Sequence, residues 1–396
     1  MRVAYVCSDP GVPVFGSKGC SVHVQEVLRA MLELGIEVVL FARRFDSDPP
    51  PELDAITVQP LPPLPKQEVG ARERAALAAN DSLRSALEAA GPFDWVYERY
   101  ALWSFAAMEY AHAAGIPGLL EVNTPLVEEQ AEHRALVDRA GAVSSSARTF
   151  RAATHLIAVS REVAEYLGTF ADSGERIHVV ANGVDPERFH AGVRPTLPPA
   201  PGSFTLGFVG SLRPWHGLSV LAESFAQLYQ ADRASRLIVV GDGPERPWLA
   251  SRLAARGVYE ATQFVGQVAP HEVPGLLASL DVAIAPYPRL RRFYFSPLKV
   301  YEYMAAGLAV VASGVGQLEE LIESEVNGIL CPPGDTKAHA EALERLRSQP
   351  ALRARLGRAA RATIEREHSW SAVVRRLLAL TESYRSETTR AAGAAP

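Results

Sequence analysis

One pattern occurs twice in this chain, and it leaves few folds open. Near the start, the apolar run Arg2–Cys7 enters a loop, residues 8–21, that carries three glycines and Lys18. The loop opens onto residues 22–34, where apolar side chains recur at helical spacing and Gly35 marks the stop. Further on, the apolar residues 204–210, the loop Gly210-Ser-Leu-Arg-Pro-Trp-His-Gly217 and a helix from Leu218 repeat the arrangement. Strand, glycine loop, helix and strand make a βαβ unit. Each loop then lies at the carboxyl edge of a parallel sheet, where α/β folds bind ligands. Neither loop has the Gly-x-Gly-x-x-Gly spacing of a dinucleotide fingerprint.

The pattern continues in both halves. Residues 36–42, a short stretch near Ile56, 94–98, Gly118–Val122, 155–159 and 177–181 read as strands of a first series. Residues 236–241, Thr262–Gly266, 281–286 and 308–312 read as strands of a second. Residues 68–90 and the Arg/Glu-rich tail, about 350–391, read as helical, the tail anchored by Trp370, Leu377 and Leu378. Between the series, residues 195–201 hold four prolines in seven positions, which makes a stiff, extended linker. At 396 residues the chain exceeds the usual size of one core, so the expectation is two domains, 1–195 and 202–370, both Rossmann-like.

Composition narrows the function. A net charge of −5 gives no nucleic-acid footprint. Cys7, Cys20 and Cys331 are scattered and odd in number, which fits a reducing compartment better than a disulfide framework. The first residues form a strand rather than a signal peptide, no window approaches the ~20 apolar residues of a membrane span, and a cytoplasmic location follows as the expectation. Asp46 and Asp48 imitate a metal-binding pair, but they precede three prolines without further acidic neighbours, so no metal is expected.

The most informative segment is residues 293–307, Phe-Tyr-Phe-Ser-Pro-Leu-Lys-Val-Tyr-Glu-Tyr-Met-Ala-Ala-Gly. Ser296 suits an N-cap and Pro297 the first helical position, with Gly307 as the stop. Lys299 then falls in the first turn, where the helix dipole disfavours a cation unless an anion shares the site. Free amides with a lysine make a phosphate seat. Glu302, one turn on, suits a sugar diol, or it pairs with Lys299 on a solvated surface. Lysines are few (Lys18, Lys66, Lys299 and Lys337), so Lys18 and Lys299 in turns stand out. With Arg213, they place a cation at three strand-to-helix joints, the arrangement a phosphorylated ligand needs. Glu121, Asn123 and Thr124 end a strand where a substrate would approach, though Asn123 also suits a turn before Pro125.

Taken in order, the glycine loop, Val159-Ser160, the turn at residues 180–185 with Phe189, Phe208-Val-Gly-Ser with Trp215-His-Gly217, Val240-Gly-Asp-Gly-Pro244, Phe264-Val-Gly266 and residues 296–307 resemble the family 4 glycosyltransferases of the GT-B fold. The likeness covers nearly the whole chain. It implies two Rossmann-like domains facing across a cleft, with a C-terminal helix, about 371–391, crossing back to the first domain. It also implies a retaining, metal-independent transfer from a nucleotide-diphosphate sugar, UDP or GDP, to a hydroxyl acceptor that is a small molecule, a glycan or lipid-linked. Any membrane contact is at most peripheral.

By the same resemblance Glu302 binds the ribose, and Ser296, Pro297, Leu298 and Lys299 face the diphosphate. Gly210, Ser211, Arg213, His216 and Gly217 supply a cationic loop, and Gly16, Lys18 and Gly19 close from the other domain. Val265, Gly266 and Val268 border the base. Lys299, Arg213 and Asn123 are the catalytic candidates. Four positions depart from the family's pattern. Tyr294 stands where its first glutamate would be. Ser211 and His216 stand where its arginine and lysine would be, and His216 is expected to donate a hydrogen bond in either protonation state. Asn123 stands where a first-domain histidine is usual. The same fold serves sugar-nucleotide epimerases and disaccharide phosphorylases, and a catalytically silent nucleotide-sugar-binding relative is a further alternative.

Overall fold

The computed structural model describes residues 1–65, 68–170, 174–190, 192–290 and 296–393. The chain forms two compact units, each built on its own parallel sheet. The first comprises Met1–Asn182, a return of the chain at Ser296, and the C-terminal segment from Trp370. The second comprises Gly183–Phe293 and Pro297–Ser369.

In the first unit the elements run β1 (Arg2–Cys7), α1 (Gly19–Glu33), β2 (Glu37–Ala42), β3 (Thr57–Pro60), α2 (Val69–Ala90), β4 (Trp95–Arg99), α3 (Ala106–Ala114) and β5 (Gly118–Val122). They continue as α4 (Leu126–His133), α5 (Arg139–Ala152), β6 (His155–Ala158), α6 (Arg161–Leu167) and β7 (Ile177–Val179). The sheet order is β3-β2-β1-β4-β5-β6-β7, so the winding reverses between β1 and β4. Both faces are covered, which is why β1 and β2 are nearly continuous apolar runs rather than alternating ones.

The second unit contains β8 (Phe204–Val209), α7 (Leu218–Ala231), β9 (Ser235–Val240), α8 (Arg246–Ala255), β10 (Thr262–Gly266), α9 (Val273–Leu277), β11 (Val282–Ala285) and α10 (Leu298–Ala305). It ends with β12 (Ala309–Ser313), α11 (Leu318–Leu321), β13 (Ile329–Cys331), α12 (Thr336–Ser348) and α13 (Pro350–Glu367). The order is β10-β9-β8-β11-β12-β13, and here the winding reverses between β8 and β11. A last helix, α14 (Trp370–Gly393), belongs to the first unit, where Trp370 meets His23 of α1 at 5.0 Å and Ser371 donates to Glu33 at 3.1 Å. Among the described residues no helix is long and apolar enough to cross a membrane.

Two expectations change. The handover between units falls at Asn182 and Gly183, ahead of the proline-rich stretch. Val184 N already donates to His368 O (2.9 Å), and Phe189 O accepts from Arg361 (2.7 Å), so residues 184–189 pack with the second unit. The proline-rich stretch is tied down along that unit, because Thr196 N donates to Gly275 O and Arg236 to Leu197 O. Secondly, α1 starts at Gly19, three residues before the expected Val22, because Lys18 O accepts from both Ser21 N and Val22 N. The tail is helical as expected, with a break at His368 and Ser369, where Ser369 bridges to Val184. The strand β13 is too short to stand out as a periodic run, and register with β12 defines it.

Candidate functional site

The reversal point of the second sheet gathers four segments. After β8 the chain turns at Gly210, whose φ of +145° suits glycine alone. A β-carbon there would stand 2.9 Å from Lys299 Nζ. Gly217 closes the loop at φ +66°, and a β-carbon on it would lie 1.6 Å from Pro286 O, beyond β11. Tyr303 of α10 pins the end of β8, its hydroxyl accepting from Val209 N at 2.7 Å and donating to Val209 O at 3.1 Å.

Into this corner α10 sends Lys299. The residue is partly exposed along its stem, but its ammonium is out of contact with solvent and has no hydrogen-bond partner among the described residues. Nζ sits 4.5 Å from the centroid of the Phe208 ring and 5.1 Å from that of Tyr287. Aromatic faces attract a cation but accept none of its three N–H donors in the ordinary way. Burial therefore lowers the Lys299 pKa to about 7, against a smaller upward pull from the Glu302 carboxylate. A buried, unmet donor of this kind costs about 1–3 kcal/mol, which an incoming anion would recover.

His216 shares the same two rings, with centroids 5.7 Å from Tyr287 and 6.1 Å from Phe208. Its Nδ1 is hydrogen-bonded to Ser211 O. A carbonyl only accepts, so Nδ1 carries the proton. Burial, then the charges of Lys299 and Arg213, push its pKa down to about 3 despite that bond. The neutral ring thus has its single N–H committed, and Nε2 can only accept. His216 thus donates when neutral, as expected, but to Ser211 O. Ser211 contributes its carbonyl and is itself exposed, as is Arg213, which lies 5.9 Å over the Trp215 ring.

Ser296 does not cap α10. The N-cap is Pro297 with no side-chain capping bond, Leu298 is the first helical residue, and Gly307 stops the helix at φ +69°. The Ser296 hydroxyl accepts instead from Asn182 N (3.3 Å), and Asn182 Nδ2 donates to Ser296 O (3.1 Å). Those bonds turn the serine away from the amides it was expected to satisfy. Glu302 stands one turn beyond Lys299, partly exposed. Tyr294 lies outside the described residues.

Gly266 adjoins this corner through Gly241, whose N–H donates to Gly266 O at 2.7 Å and whose own place beside Gly210 leaves no room for a β-carbon. Val265 and Val268 line an open groove of about 580 Å³ with Arg188, Thr196, His271 and Glu272.

In the first unit, Gln25 of α1 donates to Val14 O and Gly16 O, both at 2.9 Å, and so holds the glycine loop. Lys18 is exposed at the N-cap of α1, and Gly19 has open space around it. Asp46 accepts from Arg44 at 3.1 Å. At the strand ends, Asn123 Nδ2 donates to Glu121 Oε2 at 3.0 Å. His23 Nε2 lies 2.9 Å from Glu121 Oε1, and Arg99 Nη1 lies 3.5 Å from Oε2 and 3.3 Å from His23 Nδ1. Burial alone would raise the Glu121 pKa; His23, Arg99 and Asn123 together outweigh it and hold the carboxyl down to about 2.

A model of Glycosyltransferase Family 4 matches residues 17–188, and one of Glycosyl transferases group 1 matches residues 203–349, so the two take in most of the chain. The chain belongs to the family 4 glycosyltransferases. It is 29% identical over 408 residues to a D-inositol 3-phosphate glycosyltransferase of Frankia alni, covering 94% of this chain and 96% of the relative. The HepE protein of Anabaena, solved in complex with UDP and glucose, superposes with a TM-score of 0.70 at 18% identity, covering 97% of this chain and all of that one. A sucrose-phosphate synthase from Thermosynechococcus elongatus gives 0.72 at 20% identity, covering 98% and 99%. The fold of this glycosyltransferase is GT-B.

Sequence reasoning missed four residues of these sites: Phe208, Tyr287, His23 and Arg99. The first two look like strand-end aromatics of a core. A weak signal existed for Arg99 and His23, since each is a polar residue inside or closing an apolar element at a strand's carboxyl end or the facing helix.

Proposed function

We propose that this glycosyltransferase moves a sugar from a UDP- or GDP-sugar to a hydroxyl acceptor with retention of anomeric configuration, and without a metal. The carrying observation is the Lys299 ammonium, buried between two rings with no hydrogen-bond partner among the described residues. A diphosphate oxygen at this place would accept its N–H groups, beside the free amides at the start of α10. As the bond from the anomeric carbon to the diphosphate oxygen breaks, negative charge grows on the leaving group. Lys299, Arg213 and the amides of Leu298 and Lys299 stabilise that charge, a role that elsewhere falls to a metal ion. The acceptor oxygen attacks from the face the diphosphate leaves, and its proton passes to the departing phosphate oxygen. Glu302 accepts from the ribose hydroxyls, Val265, Gly266 and Val268 border the base, and Asn123, oriented by Glu121, positions the reacting sugar.

The relatives suggest where to start. UDP-glucose is the first donor to try and D-inositol 3-phosphate the first acceptor. A thermal-shift screen against UDP, GDP, ADP and dTDP tests the donor side. One diphosphate at ~100 times its Kd should stabilise the native protein by about 2.7 kcal/mol, and Glu302→Ala should abolish the shift. No shift with any of the four would remove the donor reading. Proton NMR of the product's anomeric signal tests retention, and turnover undiminished by EDTA tests metal independence.

A further inference from the structure

The cation corner is built with one donor too few. Lys299 brings an ammonium, while His216 beside it offers a bare lone pair, because its only N–H is held by Ser211 O. Tautomer exchange does not help: moving the proton to Nε2 would set the Nδ1 lone pair against a carbonyl oxygen. A phosphate oxygen approaching Nε2 would meet the same repulsion. The groups bearing on His216 among the described residues are Lys299 from α10, Arg213 from its own turn, and Tyr287 after β11, a phenol that burial keeps protonated. Glu302 acts on Lys299 rather than on the imidazole. Two cations and no acid face the ring, so the empty corner excludes a third charge. An anion cancels the cause of that exclusion.

We propose that His216 takes up a proton at Nε2 when the doubly charged diphosphate of the sugar donor binds, and returns it to solvent when the nucleoside diphosphate leaves. The inference rests on the donor reading above. The proton comes from solvent, the Nε2 lone pair becomes an N–H, and this N–H donates to a phosphate oxygen while Nδ1–H keeps Ser211 O. His216 is then a substrate-gated cation: neutral in the free protein and charged only against the leaving group. Burial lowers Lys299 in the same way, and its share of any proton uptake must be separated from that of His216.

The test is calorimetric titration with UDP-glucose at pH 7 in buffers of unlike ionisation enthalpy, repeated up to pH 8.5. A sugar nucleotide is the right probe because both its phosphates are diesters and none titrates in this range. The wild type should take up about one proton more than His216→Gln, which adds about a tenfold rise in Kd per pH unit to its profile. The glutamine amide donates without titrating, so it separates the charge from the proton. A packing role for His216 would shift Kd equally at every pH and leave the slope unchanged. Equal uptake in the wild type and His216→Gln would overturn the proposal. If neither UDP-glucose nor GDP-mannose binds the wild type at pH 6, the donor reading itself fails.

Discussion

The two sheets of this glycosyltransferase end in polar clusters of opposite character. At the strand ends of the first unit, Glu121 stands among His23, Arg99 and Asn123, and the buried carboxylate is neutralised by what surrounds it. At the reversal point of the second, Lys299 and His216 stand against rings, with no acid close enough to neutralise the pair fully. The first cluster is paired without a ligand, so removing a member should cost stability besides any effect on the sugar through Asn123. The second holds an ammonium that no described residue meets, which suits the anion of the donor reading proposed above. The two units thus differ in whether their buried charges are paired.

The largest test of that division is Glu121→Ala. It strips Arg99 of its buried partner, and loss of one partner from a buried pair costs about 3–5 kcal/mol. Urea unfolding should read a loss of this size. A loss below ~1 kcal/mol would mean that the first cluster does not hold itself together.

Lys299→Met should do the reverse. The methionine fills the space between Phe208 and Tyr287 without a charge, so stability should hold or rise, while kcat falls about 10²–10³-fold. The sign of the pH effect follows from the depressed Lys299 pKa, about 7 when folded against 10.5 as the ordinary value. Between those values the unfolded chain binds more protons than the folded one, so wild-type stability rises with pH across that window. Relative to Lys299→Met, the wild type should gain stability from pH 7 to pH 10 in the absence of nucleotide. A flat difference would show that the ammonium is not desolvated.

Arg213→Ala should give the smallest effect. The guanidinium is exposed, so kcat/KM should drop about tenfold or less, and the drop should shrink as salt is raised. A loss matching that of Lys299→Met would place Arg213 on the leaving group as the main charge, and the contrast between buried and exposed cations would fail.

The chain order of strands, glycine loops and helices is local information, and it was legible. The apolar runs of β1, β5 and β8 follow from burial on both faces, and the glycines at Gly210, Gly217 and Gly307 from positive φ. That Lys299 sits in the first turn of a helix was equally readable, because a misplaced cation against a helix dipole is a local conflict. Family membership followed from the order of those motifs.

What only the tertiary structure decided was the surroundings of each charge. Phe208 lies in β8 and Tyr287 follows β11, and they meet Lys299 only because the winding reverses between those strands. Ser296 has a capping residue's chemistry, yet Asn182, 114 positions away, claims its hydroxyl. The tautomer of His216 depends on one carbonyl five residues back, brought within reach by the turn at Pro214–His216. Spacing along the chain sets which side chains are available. Desolvation and hydrogen-bond partners set their proton affinities, and both are properties of the packed three-dimensional neighbourhood.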